Sequence, residues 1–250
     1  MTASWTGLEI AGLKEAQERI DTLTRSMIMI QERERERISL DLHDQVAQDL
    51  AALRLALLGV EEETRPLNPE LSRRVAQISE TVKRILQDVR EISYELRPPG
   101  FVQHDLVGTL QRYCGVFSSR NGLPVELDIE GADALRPTFD IGINLFRVTQ
   151  EALSNIARHA QARRIVIRVK GTKSTIILSV TDDGKGFDLQ KASDEAFSEK
   201  RMGLWCMGQR ISRLRGEMKI TSKAGAGTEI VVEVPVGEER HEGPERGPDR

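Results

Sequence analysis

Two long stretches of helical periodicity, separated by nine mostly polar residues with two prolines, place the tightest constraint on what this chain can fold into. Between residues 38 and 60, Ile38, Leu42, Val46, Leu50, Leu53 and Leu57 recur every three or four positions, which is the spacing of one helix face. Between residues 70 and 96, Leu71, Val75, Ile78, Val82, Ile85, Leu86, Val89 and Ile92 do the same. The segment 61–69, with Pro66 and Pro69, ends the first helix and turns the chain; Arg97-Pro98-Pro99-Gly100 stops the second. Two antiparallel helices with a short connection cannot hide both apolar faces alone. The pattern therefore predicts an all-α antiparallel hairpin that pairs with a second copy as a dimeric four-helix bundle.

Upstream, residues 8–30 read as an amphipathic helix. Leu13, Ala16, Ile20, Leu23, Met27 and Ile30 follow the 3,4 alternation of a coiled-coil seam, a pattern that one helix of a bundle also satisfies. The run Gln31-Glu32-Arg33-Glu34-Arg35-Glu36-Arg37 would then put Glu34 and Arg37 in the seam. Such a run is either a solvated helix face or a weak joint through which an N-terminal rearrangement passes on. Directly after it comes Asp41-Leu42-His43-Asp44-Gln45-Val46-Ala47-Gln48. His43 lies about 100° around the helix from Leu42, at the border of the apolar stripe. Asp44 and Gln48, four apart, share a face. A nucleophilic imidazole, a carboxylate and an amide thus stand together, although a lone helical histidine is ordinarily just a surface residue.

Composition excludes several classes. A formal net charge of −3 over 250 residues offers no basic field for nucleic acid. Cys114 and Cys206 give no disulfide framework or metal spacing, and His43, His104, His159 and His241 form no ligand cluster. No apolar run approaches the ~18 residues of a membrane span, and the N-terminus does not read as a signal peptide, so a cytoplasmic protein without membrane contact is expected. Residues 238–250 hold no aliphatic or aromatic side chain and are predicted to be disordered.

Beyond Gly100 the pattern changes. Helices are predicted over 106–118, 139–160 and 202–214, and strands over 125–129, 164–170, 174–181, 218–221 and 229–234. This order predicts an α/β sandwich, a mixed sheet with one helix-covered face and at least one hairpin. No GxGxxG follows an opening strand and no GxxxxGK[ST] occurs. Three signals suggest a nucleotide pocket. Glu151 and Asn155 stand one turn apart, followed by Arg158 and His159, and could orient a metal ion and phosphates. Asp182-Asp183-Gly184-Lys185-Gly186-Phe187 follows an apolar strand, where a carboxylate can accept from an exocyclic amine and glycines let backbone approach a flat ring. Gly203-Leu204 opens a predicted helix, a place suited to phosphate, and Gly225-Ala226-Gly227-Thr228 precedes the last strand.

Taken in this order, the motifs closely resemble the cytoplasmic catalytic core of two-component sensor histidine kinases, of the NarL/DesK-like subfamily, over roughly residues 31–236. The resemblance implies an N-terminal signalling helix (1–30), a dimerisation and histidine phosphotransfer domain (31–98), a GHKL-type (Bergerat) ATP-binding domain (99–237) and a tail (238–250). It implies that His43 accepts phosphate, that Asp44 orients the imidazole and takes its proton, and that Gln48 positions water to dephosphorylate the partner. Asn155 would bind Mg²⁺, Glu151 would support a metal-bound water, and Arg158 and His159 would face the phosphates. Asp182 would read adenine with Gly184 and Gly186. Gly203, Leu204, Gly225, Gly227 and Thr228 match the later glycine motifs, and residues 183–201 would hold a lid.

Three departures stand out: Asp41 replaces the usual glutamate, Arg201 stands where glycine is frequent, and Cys206-Met207-Gly208-Gln209-Arg210 replaces the common Gly-Met-x-Glu-Arg. The last two point to slower kinase chemistry or a tilt toward phosphatase. The implied activity is ATP- and Mg²⁺-dependent autophosphorylation of His43 in a homodimer. The phosphoryl group then passes to an aspartate of a response regulator of NarL/LuxR type, which itself would contact DNA. Alternatives are a mainly phosphatase protein, a related serine kinase, or a non-catalytic nucleotide-binding scaffold. The His43-Asp44-Gln48 helix argues against the serine kinase, and Asn155 with Asp182 against the scaffold. About 30 residues before the core are too few for a folded sensor domain, so the signal is expected from another protein or from a longer parent, which could be membrane-bound.

Overall fold

The computed structural model describes residues 3–98, 105–131, 137–188 and 199–236. It divides into two compact units, Met1–Pro99 and Gly100–Arg250. The expected tail, most of the expected lid and part of the Arg97–Gly100 joint lie outside the described residues. Among the described residues no helix is long and apolar enough to cross a membrane.

The first unit is helical throughout. Helix α1 (Ala3–Asp41) runs through a single π-helical turn (Leu42–Val46) into α2 (Ala47–Thr64), and α3 (Pro69–Leu96) returns beside them. The charge run at 31–37 does not interrupt the helix: Arg37 pairs with Glu34 along it at 2.5 Å. The irregularity lies further on, where the Ala47 N–H reaches back five residues to the Leu42 carbonyl. Helix α3 starts cleanly because the Asn68 side chain accepts from the Leu71 N–H at 3.0 Å and Pro69 takes the first helical position.

The packed face of α3 differs from the stripe read in the sequence. Ser72, Val75, Ser79, Val82, Leu86 and Ser93 are buried, whereas Leu71, Ile78, Ile85 and Ile92, one every seventh residue, stay 44–52% exposed. Small serines let the neighbouring helix backbone approach, so the larger side chains fall to a second, outward stripe. The upper end of the hairpin is held by Ser39 and Ser93. The Ser39 hydroxyl lies 3.0 Å from that of Ser93, and each hydroxyl reaches the other's carbonyl, at 3.1 and 3.2 Å. One turn further out, Arg97 pairs with Glu36.

The second unit is an α/β sandwich. Helix α4 (Leu106–Asn121) leads to β1 (Val125–Glu130); α5 (Phe139–Asn155) ends in a second π-helical turn (Ile156–Ala160). Then follow β2 (Ile165–Gly171), β3 (Thr175–Asp182), α6 (Glu199–Arg213), β4 (Glu217–Ser222) and β5 (Thr228–Pro235). The sheet order is β1-β2-β3-β5-β4, with β1 parallel to β2 and the remaining neighbours antiparallel. Alternation along β3 puts every second residue into the core. There Ile165, Ile167, Ile176 and Leu178 meet Leu106, Leu110, Leu145, Phe146, Leu153, Met207 and Ile211.

The π-turn at Leu42–Val46 sets the facing of the long helix. Ser39 and Ala47, eight residues apart, are both buried at 6%, while Val46, which regular spacing places inward, is 40% exposed. Two α-turns take about 7.2 residues; one wide turn accounts for the extra residue. Deleting Gln45 therefore leaves Ser39 and Ala47 facing inward through a regular helix. Deleting Ala52, in regular helix, rotates one side by about 100°. Calorimetry should find the Gln45 deletion melting within about 4 °C of the unaltered chain, with the Ala52 deletion far lower. Equal losses would contradict the π-turn.

Candidate functional site

Each unit carries one of the two residue groups that the sequence points to. In the first, His43 and Asp44 lie within the π-turn and Gln48 follows it in α2; all three are exposed. The turn is anchored on its N-terminal side by the Ser39–Ser93 clasp and on its C-terminal side by buried Ala47. An accessible imidazole, with a carboxylate beside it and an amide a turn later, is thus displayed on a helix whose inward face is pinned.

In the second unit, a cavity open to solvent is lined by Ala152, Asn155, Ile156, His159, Ala160, Val180, Asp182, Gly186, Phe187, Leu204, Thr228 and Ile230. The apolar walls come from α5, β3, β5 and α6. Asp182, at the end of β3, is only 5% exposed. Its Oδ1 accepts the Gly184 N–H at 2.8 Å. A carboxylate on an apolar wall is a directional acceptor for an amine on a flat ring, because few other polar groups there compete.

The loop after Asp182 is tied to the second π-turn. The Lys185 N–H donates to the Ala160 carbonyl at 2.8 Å. Asp183 Oδ1 accepts the N–H groups of Arg163 at 2.7 Å and Arg164 at 2.9 Å. These donors, Arg164 first, hold the Asp183 carboxyl below the usual carboxylate range. The glycines here have a reason different from the one read in the sequence. A Cβ on Gly184 would sit 2.4 Å from the Ala160 carbonyl oxygen. One on Gly227 would sit 2.0 Å from that of Asp182, and Gly186 and Gly227 have φ of +57° and +76°. Protein backbone, rather than a ligand, demands glycine at these positions.

Glu151 adjoins the cavity through Asn155, whose amide nitrogen donates to Glu151 Oε1 at 3.3 Å. Gly203 does not open a helix. It lies inside α6, described from Glu199 to Arg213, so the expected helix start at Met202 is corrected. Its small size serves Glu151, since a Cβ there would lie 2.1 Å from Glu151 Oε1. Cys206 is a neighbour of Glu151 and Arg210; burial pushes its thiol up, and so does Glu151, while Arg210 lowers it. Arg158 and Gly225 do not line the cavity, whereas His159, Leu204 and Thr228 do. The sequence reading missed the apolar walls, Ala152, Ile156, Val180 and Ile230. Their signal was ordinary core periodicity.

The donor set fits Mg²⁺ with a phosphorylated nucleotide. Among the described residues, no group of three or more His, Cys, Asp or Glu could hold a metal ion alone. Mg²⁺ commonly takes one or two protein oxygens and completes its shell with phosphate and water, which is what the Glu151–Asn155 pair offers.

Comparison with known proteins matches each unit separately. Residues 34–101 match the family described as Histidine kinase, and residues 141–238 match Histidine kinase-, DNA gyrase B-, and HSP90-like ATPase. The chain is 35% identical over 215 residues to the signal transduction histidine-protein kinase/phosphatase DegS of Bacillus subtilis, covering 84% of this chain and 55% of that protein. It is 31% identical over 211 residues to DegS of Brevibacillus brevis, covering 84% and 53%. It is 28% identical over 230 residues to the sensor histidine kinase LiaS of Bacillus subtilis, covering 92% and 62%. The chain thus spans a little over half the length of these relatives.

The Asp183 contacts make a pH prediction. A carboxyl held below its unfolded value of about 3.9 adds stability above that pH and loses it as pH falls through the depressed folded value. Acid unfolding of the second unit should therefore be steeper in the unaltered chain than in Asp183→Asn, followed by circular dichroism below about pH 4. Identical acid limbs would show that the two N–H contacts do not form.

Proposed function

We propose that this chain is the core of a two-component histidine kinase, which transfers the γ-phosphoryl group of ATP to His43 and then to an aspartate of a response regulator. The observation that carries this reading is the cavity of the second unit. Asp182 is a buried carboxylate in its lining, and Asn155, also in the lining, is hydrogen-bonded to Glu151. Asp182 accepts from the adenine amine, the apolar walls hold the ring, and His159 lies toward the phosphates. Asn155, with Glu151 beside it, would hold a Mg²⁺ whose charge neutralises the triphosphate.

The chemistry follows from His43 and Asp44. One imidazole nitrogen of His43 attacks the γ-phosphorus in line with the leaving oxygen. The N–P bond forms, the P–O bond to ADP breaks, and Asp44 takes the proton from the other ring nitrogen. In the second transfer a regulator aspartate oxygen displaces His43, forming an acyl phosphate.

Three finer points belong to the same proposal. The chain works as a homodimer in a four-helix bundle, which the heptad of exposed apolar residues Leu71, Ile78, Ile85 and Ile92 supports. Its regulator is of the NarL/LuxR type, in keeping with a NarL/DesK-like core, and it acts in the cytoplasm. Gln48 positions a water that hydrolyses the regulator's acyl phosphate, so the protein also runs in the phosphatase direction; exposure of Gln48 one turn from Asp44 supports this.

Incubation with γ-labelled ATP and Mg²⁺ should give acid-labile, base-stable label on the unaltered chain and none on His43→Gln. Equal labelling of the two would overturn the kinase reading. With phosphorylated regulator, Gln48→Ala should slow dephosphorylation at least about tenfold while still taking label, in line with the loss of one positioned catalytic group. An unchanged rate would remove Gln48 from the account.

A further inference from the structure

We infer that Ser222, which does not line the cavity, is a positioning residue for the nucleotide: it locks the two glycine loops that form one wall into a single unit. It is the last residue of β4 and pairs in register with Thr228 of β5. Its hydroxyl has one proton to give and two lone pairs to share. The Phe187 N–H donates to Ser222 Oγ at 2.9 Å. Ser222 Oγ donates to the Gly227 carbonyl at 3.0 Å. The Thr228 hydroxyl lies 3.0 Å away; with the serine proton already committed to Gly227, Thr228 is the donor. All three capacities are used, and the partners belong to two loops that are remote in sequence.

Three of the residues so held, or their immediate neighbours, face the cavity: Gly186, Phe187 and Thr228. A second tie runs parallel to the first, from the Gly225 N–H to the Lys185 carbonyl at 2.7 Å. Gly186 fills the space between, since a Cβ there would lie 2.1 Å from the Lys223 carbonyl oxygen and 2.7 Å from that of Gly227. The loops therefore cannot close more tightly, and Ser222 keeps them from opening. Without the hydroxyl, the Phe187 N–H and the Gly227 carbonyl lose their shared partner, Thr228 is free to turn, and the wall widens where a ligand would meet Phe187 and Thr228.

The inference rests on the reading that this cavity takes ATP, and the test separates the two. Calorimetric titration of the full chain with ATP and with ADP gives the reference affinity; an unaltered chain that binds neither overturns both. Ser222→Ala should bind both nucleotides about tenfold more weakly, the scale of one lost, well-placed polar anchor. Its melting temperature should stay within about 3 °C of the reference. Ser222→Thr, which restores the hydroxyl, should return to within about twofold. Hydrogen exchange should quicken in peptides covering Phe187 and Gly227 and stay unchanged along β2. Should the alanine variant not accumulate as folded protein, Ser222→Cys, which keeps the volume and weakens all three hydrogen bonds, is read the same way. Affinity unchanged in the alanine or cysteine variant overturns the inference, and so does a loss accompanied by faster exchange across the whole sheet.

Discussion

The second unit depends on the close approach of three backbone segments at the end of β3. The Ala160 carbonyl closes the π-turn of α5, the Asp182–Phe187 loop leaves the sheet, and the Lys223–Thr228 loop enters β5. All three come within a distance that excludes side chains. Gly184, Gly186 and Gly227 are there because carbonyl oxygens of neighbouring segments occupy the space a Cβ would need. With the backbone so crowded, the carboxylate of Asp182 is held by the Gly184 N–H and cannot swing away from the cavity. The adenine contact proposed for Asp182 needs that fixity, because a mobile carboxylate would lose its directional advantage to solvent.

The helical unit solves a different problem with a comparable device. The proposed phosphoacceptor, His43, must be exposed, while the helix that carries it must be packed. The π-turn separates the two demands: it keeps Ser39 and Ala47 inward on either side and leaves His43 and Asp44 on the outside. The Ser39–Ser93 clasp makes the inward side specific, since two buried hydroxyls that satisfy each other allow one register of α1 against α3 and leave orphaned groups in any other. Among the described residues, the two π-turns each carry a histidine, His43 in the first and His159 in the second. Wide turns often occur at working sites because the extra residue re-aims side chains without breaking the helix.

Much of this was legible in the sequence because it is local. The helical hairpin follows from apolar spacing and prolines, the α/β sandwich from the order of its elements, and the cavity-lining residues Asn155, Asp182 and Thr228 from short motifs. What escaped has physical reasons. An extra residue in a helix shows only if the inward positions are known, and here they are Ser39 and Ala47, which carry no hydrophobic signal. The clasp joins residues 54 apart, and Ser222 joins loops that no spacing rule connects. Gly203 read as the opening of a helix because the charged residues before it look like loop. In the fold it is inside α6, and its lack of a side chain makes room for Glu151.

Under the proposed kinase activity the phosphoryl group ends on His43 and not on His159, which lines the cavity. The direct measurement is residue-level mapping of the chain after incubation with ATP and Mg²⁺. Digestion at alkaline pH and fragmentation mild enough to keep N–P bonds would precede peptide mass analysis. Phosphate is expected on the peptide that carries His43, at the imidazole, and none on the peptide that carries His159. Phosphate on His159, or on a hydroxyl such as that of Ser39 or Ser222, would contradict it.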